Sequence, residues 1–258
     1  MTAASSPQSR DAERREGAKQ TSLGRELLLI VGVALILSVL VRTFLAQAFY
    51  VPSESMENTL LKQDRILVSK LTTQISGVHR GEVVVFTDPG DWLPVEEPAT
   101  GALGVVRGGL MWIGLLPSDT GEDLVKRVIA VGGDHIVCCD AKNRIVLNGV
   151  PLVEGYIKPG NGTAQVRFDV TVPADRFFVM GDNRGDSSDS RFHLDVESGT
   201  VPRANIVGRV VAVIWPFSRW SGEPVPAIFE NPKLDASPAS RPAGGSGDGG
   251  PGLLADAG

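Results

Sequence analysis

The chain has 258 residues, which is enough for a full hydrophobic core and allows either one large domain or two small ones. Its formal net charge of −5 provides no basic field for phosphates, so a nucleic-acid partner is disfavoured. The two cysteines, Cys138 and Cys139, are adjacent, and side chains that diverge along an extended chain are poorly placed for a disulfide. The three histidines, His79, His135 and His193, are scattered and lack the spacing of a zinc site. Neither a disulfide framework nor a metal site is therefore expected.

The N-terminal part of the chain contains an uncharged apolar run. Residues 1–26 are polar and carry both signs of charge, which is typical of a disordered tail. Residues 27–41 carry no charge. A helix over this run reaches only about 22 Å, but extension through Leu45, with Arg42 at the interface, approaches the roughly 30 Å of a bilayer core. The segment 27–45 is therefore predicted to be a transmembrane anchor.

Two other interpretations of the apolar segment compete with an anchor. A core helix of a soluble domain should carry a polar face, which residues 27–41 lack. A cleaved signal peptide is supported by Ala46-Gln47-Ala48, but residues 1–26 form a long and partly acidic leader for one. Whether the chain is clipped after Ala48 stays open. Basic residues before the span favour a cytoplasmic N-terminus and place the remainder outside the cytoplasm.

Short β-branched runs separated by turns occupy the chain beyond residue 60. Asn148-Gly149, between two such runs, indicates a hairpin, because a type I′ turn needs positive φ at both central residues. Without the strand–helix alternation of a parallel sheet, the pattern predicts a largely antiparallel β domain over residues 46–230. The predicted strands are Ile66–Val68, Val83–Phe86, Val125–Val131, Ile145–Leu147, Arg176–Met180 and Val207–Ile214.

Two lengthened loops and a tail interrupt or follow this β pattern. Residues 88–123 form a Pro/Gly-rich insertion with an apolar stretch, Leu110–Leu116. This stretch is either a patch that dips into the bilayer surface or a satellite helix on the sheet, and the sequence favours neither. A second long loop covers residues 193–200, and its purpose is equally open. Pro, Gly, Ala and Ser predominate in residues 231–258, which predicts a disordered tail.

Four segments behind the apolar run are candidates for chemistry. They are residues 49–60 (FYVPSESMENTL), 80–86 (RGEVVVF), 126–134 (KRVIAVGGD) and 181–191 (GDNRGDSSDSR). Serines after a proline usually belong to a turn, so the first segment alone indicates no activity. Lys126, however, lies in an apolar strand. Burial there would lower the pKa of its ammonium from about 10.4 by several units and leave an amine that accepts a proton from a serine.

In this order, the four segments resemble the conserved boxes of bacterial type I signal peptidases, the Ser/Lys proteases of family S26, over residues 25–217. The resemblance implies a mainly β fold, of the type shared with self-cleaving repressors of the DNA-damage response. In this fold, one N-terminal transmembrane helix precedes the catalytic domain. The catalytic domain is an antiparallel β-sheet with a complex, barrel-like arrangement. The implied enzyme is an endopeptidase that removes signal peptides from exported preproteins after small residues, usually Ala-x-Ala. The Ala-, Gly- and Pro-rich tails are typical of a GC-rich bacterium such as an actinomycete.

The resemblance also assigns roles to individual residues. Ser55 is implied to be the nucleophile and Lys126 the general base that later protonates the leaving amine. The Ser55 backbone N–H and the Ser53 hydroxyl match the donors of an oxyanion hole, and Ser187 matches a serine that orients the lysine. No cofactor or metal is implied. The implied substrate-pocket residues are Val51, Pro52, Leu60, Leu124 and Val125, and the implied supporting residues are Arg127, Asp182, Asp189 and Arg191.

The implied partners are preprotein signal peptides and the lipid bilayer. The implied location is the cell membrane, with one span, a cytoplasmic N-terminus and an extracytoplasmic catalytic domain, while the oligomeric state stays open. Three residues depart from the family pattern: Asn58 and Gly132 replace prolines, and Gln63 replaces a glycine. These departures affect the expected rigidity of loops and leave the catalytic residues in place.

Other functions are less compatible with the sequence. Self-cleaving Ser/Lys repressors carry a soluble or DNA-binding N-terminal segment, and penicillin-binding enzymes need an SxxK helix that this sequence lacks. A non-enzymatic relative would be expected to have lost Ser55, Lys126 or Ser187, and all three are present. A peptidase dedicated to one pilin or one secretion cluster remains an alternative to a housekeeping enzyme, and activity on several unrelated preproteins would distinguish the two.

Overall fold

The computed structural model describes residues 24–41, 45–90, 92–93, 123–160 and 162–235. These residues form an apolar N-terminal helix, a short second helix and two antiparallel sheets. The expectations for residues 1–23, for Leu110–Leu116 and for residues 236–258 lie outside the described part of the chain.

Helix α1 covers Gly24–Val41 and begins three residues before the predicted anchor. Its mean hydropathy is 2.3, and none of it is buried inside the protein. At 1.5 Å per residue the helix is about 27 Å long, close to the thickness of a bilayer core. The absence of burial argues against the core helix of a soluble domain. Helix α1 therefore has the length and composition of a membrane span.

The larger sheet has eight antiparallel strands in the order β1-β2-β11-β3-β4-β9-β10, with β12 paired to β11. The chain thus inserts one of its last strands between two of its first. The bounds are β1 (Ala46–Tyr50), β2 (Arg65–Ser69), β3 (Val83–Thr87), β4 (Asp123–Val131), β9 (Arg176–Met180), β10 (Val201–Pro202), β11 (Ile206–Trp215) and β12 (Ser221–Gly222).

The smaller sheet has four strands in the order β7-β6-β5-β8. Its strands are β5 (His135–Cys138), β6 (Ile145–Leu147), β7 (Val150–Pro151) and β8 (Phe168–Thr171). Helix α2 (Lys70–Ile75) follows β2 directly, and its N-cap Ser69 accepts a hydrogen bond from the backbone of Thr72. Short 3₁₀ turns cover Ser190–Phe192, Glu197–Gly199, Arg203–Asn205, Phe217–Arg219, Ala227–Glu230 and Pro232–Asp235.

All six predicted strands are present, with ends within two residues of the prediction. The predicted hairpin is also present, because Asn148 (φ 50°) and Gly149 (φ 82°) join β6 to β7 in the left-handed conformations that a type I′ turn needs. The mainly β, antiparallel fold is confirmed, but its barrel-like closure is wrong. The described strands form two open sheets, because β1 and β10 pair on only one side.

The hydrophobic core follows the alternation of side chains along the central strands. In β3, Val83 and Val85 pack in one cluster with the β1–β2 loop, whereas Val84 and Phe86 pack in another with β4 and β9. A third cluster lies between the two sheets and combines residues of β4 and β9 with residues of β5, β6 and β8. The two sheets therefore share one continuous packing unit.

Cys138 and Cys139 form a disulfide between adjacent residues, and the peptide bond that joins them is cis. The expectation that these cysteines stay unpaired is wrong. It assumed an extended trans dipeptide, in which the two side chains diverge, and the chain does not have that conformation here.

Candidate active site

The loop between β1 and β2 carries the predicted nucleophile. Backbone hydrogen bonds close the loop, from Val51 N to the Asp64 oxygen at 3.0 Å and from Gln63 N to the Val51 oxygen at 2.9 Å. Ser55 lies inside this closed loop and is itself only 6% exposed. The next residue, Met56, is buried in the hydrophobic core. The loop therefore holds Ser55 between a core anchor and a closed backbone.

Lys126 reaches this loop from β4, where it pairs with Val84 of β3. Its Nζ lies 2.6 Å from Oγ of Ser55, and its side chain is only 3% exposed. Burial lowers the pKa of Lys126 to about 8, while the negative charge of Asp189 opposes this shift. A substantial fraction of the amine is therefore neutral slightly above neutral pH. A neutral amine in contact with a serine hydroxyl can accept its proton.

The peptide groups around Ser55 are held by the segment 181–191. The backbone N–H of Asn183 donates to the carbonyl oxygen of Ser55 at 3.0 Å, and the Asn183 side-chain amide donates to that of Glu54 at 3.1 Å. The carbonyl group of Glu54 and the N–H of Ser55 belong to the same planar peptide group, in which they point in opposite directions. The bond from Asn183 to the Glu54 carbonyl oxygen therefore also fixes the direction of the Ser55 N–H. Oγ of Ser53, on an exposed residue, lies 3.1 Å from Oγ of Ser55.

The same segment surrounds a buried carboxylate, that of Asp189. It accepts hydrogen bonds from the Ser187 hydroxyl at 2.8 Å and from the Gly181 N–H at 3.0 Å, and Arg191 donates to both of its oxygens. Burial alone would raise the pKa of Asp189, but the hydrogen bonds and charge of Arg191, the Gly181 N–H and the charge of Lys126 together outweigh burial and lower this pKa. A Cβ added at Gly181 would collide with Oγ of Ser187 and with the carbonyl oxygen of Ser55. Ser187 therefore lies beside the nucleophile, separated from it by a residue that must be glycine.

Arg127, the residue after Lys126, is the centre of a second buried network. Its guanidinium donates to both carboxylate oxygens of Asp182 and, at 3.1 Å, to Glu223. Asp182 also accepts a hydrogen bond of 2.5 Å from the Thr59 hydroxyl in the nucleophile loop. The ring of Tyr156 packs on the guanidinium at 4.7 Å. This network ties β4 to the nucleophile loop and to the segment 181–191.

The five predicted pocket residues do not all lie together. Val51 and Leu60 are fully buried in one core cluster, and Val125 packs against the same cluster. Leu124 is buried in a different cluster, with residues of β3 and β9, and Pro52 is exposed. Only Pro52 and the partly exposed Val125 offer much surface to a substrate in this conformation.

Several contacts of the site were not predicted from the sequence. Thr59 and Asn183 lie in the candidate segments 49–60 and 181–191, whereas Glu223 lies outside all four segments. The contacts described above could not be predicted, because each bond joins residues far apart in the chain. Burial raises the pKa of Glu223, against the opposing charge of Arg127. Within the described ranges, no group of three or more His, Cys, Asp or Glu side chains could hold a metal ion.

Comparisons with known proteins give a consistent result. The model of the family "Signal peptidase, peptidase S26" matches residues 24–215. A probable signal peptidase I of Mycobacterium leprae is 38% identical over 234 residues, which cover 79% of this chain and 80% of the relative. The signal peptidase I of Mycobacterium tuberculosis is 38% identical over 226 residues, covering 79% and 76%. That of Leptolyngbya laminosa is 35% identical over 191 residues, covering 73% and 78%.

One solved structure, a signal peptidase I from Enterococcus faecalis, is 24% identical and covers 51% of this chain and 95% of its own. The TM-score is 0.33.

Proposed function

Because the chain belongs to the signal peptidase family, peptidase S26, we propose that it is a serine endopeptidase that removes N-terminal signal peptides from exported preproteins. The observation that carries the proposal is the contact of 2.6 Å between the buried amine of Lys126 and the hydroxyl of Ser55. A serine needs an adjacent base to become a nucleophile near neutral pH, and Lys126 provides a basic group in contact with the Ser55 hydroxyl.

The proposed reaction has two stages. In the first, Oγ of Ser55 attacks the carbonyl carbon of the scissile peptide while its proton passes to Nζ of Lys126. The tetrahedral intermediate then collapses, the C–N bond breaks, and Lys126 returns the proton to the leaving amine. In the second stage, water gives up a proton to Lys126 and attacks the carbonyl carbon of the resulting ester. The bond between this carbon and Oγ of Ser55 then breaks, Lys126 returns the proton to Oγ, and the signal peptide is released with a new carboxyl terminus. No cofactor takes part in either stage.

The negative charge on the carbonyl oxygen needs preorganised donors. The Ser55 N–H and the Ser53 hydroxyl are the proposed ones, and the bond from Asn183 to the Glu54 carbonyl oxygen supports this role for the N–H. Ser187 is proposed to orient Lys126. Its hydroxyl donates its proton to Asp189, so its lone pairs can accept a hydrogen bond from the lysine amine.

Substrate recognition is proposed to use small side chains and an extended backbone. Strand β9 pairs with β4 only as far as Arg127, so within the described strands Leu124 to Lys126 have a partner on one side alone, in β3. An extended signal-peptide segment could add to this open side, next to Ser55. Of the five predicted wall residues, Pro52 and the partly exposed Val125 are proposed to form the surface of the pocket for Ala side chains, and Val51 and Leu60 support Val125 from the same core cluster. Leu124 packs in a different cluster and is not part of this surface.

The domain organisation is proposed to be a cytoplasmic tail over 1–26, an anchor over 27–45, an extracytoplasmic catalytic domain over 46–230 with an insertion at 88–123, and a C-terminal tail over 231–258. The three large aromatic side chains Trp215, Phe217 and Trp220 are 46–66% exposed, beside the end of β2 that follows the nucleophile loop. Exposed aromatic clusters of this kind suit the interface of a bilayer. Protease protection in spheroplasts tests the proposed orientation.

The chain is proposed to keep its own helix. The candidate cleavage site, Ala46 to Ala48, lies in β1 and pairs with Leu67 to Ser69 of β2. A protease that reads an extended segment would first have to remove β1 from the sheet. The segment therefore serves as an edge strand of the catalytic domain and leaves the anchor attached.

Cleavage of a preprotein with an Ala-x-Ala site by the full chain in detergent tests the proposed function. We expect the wild type to cut after the second Ala and both Ser55→Ala and Lys126→Ala to lose activity. Ser53→Ala should reduce the rate by roughly two to three orders of magnitude. Lys142→Ala, on an exposed turn, is the matched control and should retain full activity.

Two results would contradict the proposal. An active Lys126→Ala variant would remove the lysine from its role as base, and a wild type that cuts none of several unrelated Ala-x-Ala preproteins would refute general signal-peptide removal. A preprotein with Leu in place of both Ala residues serves as the substrate control, because a shallow pocket that fits a methyl group excludes it.

A further inference from the structure

The two long loops of unexplained purpose meet through a pair of aromatic rings. Trp92 belongs to the insertion at 88–123, and His193 opens the loop at 193–200. Their rings stack with centroids 4.4 Å apart and planes 9° from parallel. Trp92 is only 6% exposed, although it lies in a loop. We call these two residues the Trp92–His193 pair.

The first residues of the insertion hold Trp92 firmly in place. The carboxylate of Asp88 accepts hydrogen bonds from the backbone N–H groups of Gly90, Trp92 and Leu93, at 2.9, 3.2 and 2.9 Å. The rings of Trp92 and Phe86, in β3, pack nearly perpendicular to each other, with centroids 5.9 Å apart. The indole is therefore part of the core of the larger sheet and not a mobile loop side chain.

His193 connects this ring to the active-site segment. Its Nδ1 lies 2.9 Å from the backbone carbonyl oxygen of Asp189. A carbonyl oxygen only accepts hydrogen bonds, so Nδ1 must carry the proton and donate. The backbone N–H of His193 also ends the 3₁₀ turn Ser190–Phe192 by donating to Ser190. The side chain and the backbone of His193 thus close the same short turn.

That turn begins at Asp189, whose carboxylate binds the Ser187 hydroxyl and acts on the pKa of Lys126. The backbone carbonyl oxygen of Asp189 accepts hydrogen bonds from the His193 ring and from the Phe192 N–H, and its carboxylate is held by Gly181 and Arg191. A displacement of the turn therefore moves the carboxylate and with it the proposed orienting serine.

We propose that Trp92 and His193 are positioning residues for the peptidase reaction, which hold Asp189 and Ser187 against Lys126 and make the start of the insertion, at Trp92, part of the catalytic framework. This inference rests on the proposed function. Neither ring touches the reacting atoms, so both act through the turn at Asp189. An error of about 1 Å in the placement of catalytic groups can reduce a rate by up to about a hundredfold.

Four variants separate the stacking of the two rings from the hydrogen bond between His193 and Asp189. His193→Phe keeps a ring to stack on Trp92 but cannot donate to Asp189, whereas His193→Asn keeps a donor at the position of Nδ1. Trp92→Ala removes the stack, and Trp92→Phe retains an aromatic face. His135→Phe is the matched control, because His135 lies in the smaller sheet and contacts Asp169 instead.

With the full chain in detergent and an Ala-x-Ala preprotein, we expect His193→Phe and Trp92→Ala to lower kcat about tenfold and to leave KM within about twofold. His193→Asn and Trp92→Phe should recover most of the loss. The double variant His193→Phe/Trp92→Ala should lose little more than either single variant, because both act through one turn. His135→Phe should resemble the wild type.

A general loss of folded protein also lowers kcat, so the pKa of Lys126 is the second readout. The carboxylates of Asp189, Asp186 and Asp182 raise that pKa, and Arg191 lowers it. Of these groups, Asp189 has the largest effect. If its carboxylate moves away from Lys126, the pKa of Lys126 should fall, and the acid limb of the pH profile of kcat should shift to lower pH. Titration of ¹³C-labelled lysine by NMR follows the same group directly, with Lys126→Met to assign its signal.

The outcomes are distinct. A lower pKa of Lys126 in His193→Phe and Trp92→Ala, with recovery in His193→Asn, supports the pair as positioning residues. An unchanged pKa, with a loss of kcat no larger than the loss of folded protein, overturns it. If the wild type cuts no preprotein, the proposed function fails, and the NMR titration still decides whether the pair positions Asp189 against Lys126.

Discussion

The burial of the Lys126 amine serves the proposed catalysis but lowers the stability of the folded protein. Folding lowers the pKa of Lys126 from 10.5 to about 8, chiefly through burial. Between these pH values the unfolded chain binds a proton that the folded chain has released, so the free energy of unfolding rises with pH across this window. At lower pH both states are protonated, and the folded protein carries the whole penalty of the buried ammonium, about 3 kcal/mol.

Replacement of this residue should therefore stabilise the protein. Lys126→Met keeps an apolar stem of similar length, and we expect it to lose cleavage but to gain about 2–3 kcal/mol in the free energy of unfolding at pH 7. The gain should shrink as the pH rises toward 10.5. Thermal unfolding in detergent at both pH values measures it, with Lys142→Met as an exposed control. A Lys126→Met protein no more stable than the wild type at pH 7 would contradict this account of the dyad.

At the scale of elements, the sequence predicts those strands and turns that depend on residues close together in the chain. The β6–β7 hairpin was predictable, because Asn148 and Gly149 are the residues that tolerate positive φ in a two-residue turn. The strands were predictable from their β-branched residues. The insertion of β11 between β2 and β3 was not, since this pairing depends on contacts across more than a hundred residues. The open edges that replace a barrel follow from the same non-local order.

The backbone of the nucleophile loop is strained at Gln63, and this strain can be measured. Gln63 replaces the glycine usual in the family and has φ of 75°, in the left-handed region. This conformation costs a residue with a Cβ roughly 1–2 kcal/mol, while the greater freedom of glycine in the unfolded chain offsets up to about 1 kcal/mol. We expect Gln63→Gly to stabilise the protein by up to about 1 kcal/mol, or about 2–4 °C in Tm.

The control for this substitution lies in a helix. Gln74 is exposed in α2, where no residue needs positive φ, so Gln74→Gly should lower stability by about 1 kcal/mol. Thermal unfolding of the two variants side by side gives the comparison. Equal losses at both positions would mean that the loop bears no strain at Gln63.

On the scale of the whole molecule, the two sheets are joined by apolar packing and by buried charges that no local pattern records. The resemblance to known peptidases identified Ser55 and Lys126, but the partners that hold their surroundings come from distant parts of the chain. Glu154, just after β7, and Arg184, just after β9, are one such pair. The sequence places Arg184 in the candidate segment 181–191 but does not identify Glu154 as its partner, because the two residues are 30 positions apart in the chain.

The Arg184–Glu154 pair should be essential for the coupling of the two sheets. Both nitrogens of the Arg184 fork donate to Glu154, at 2.8 and 2.6 Å, and the two side chains are 0% and 5% exposed. Glu154→Ala leaves a buried guanidinium without its carboxylate, and the loss of one partner of a buried pair typically costs about 3–5 kcal/mol. Glu154→Gln keeps an acceptor and should cost less, because a neutral amide still satisfies part of the fork.

Thermal unfolding followed by near- and far-ultraviolet circular dichroism measures both the loss and its cooperativity. Because the sheets share a core cluster, we expect Glu154→Ala to unfold in one transition at a lower temperature, with both signals coincident. Lys62→Ala, which removes an exposed ion pair with Glu54, should change the transition little. Two separate transitions would instead mean that each sheet folds alone and that the buried pair only aligns them.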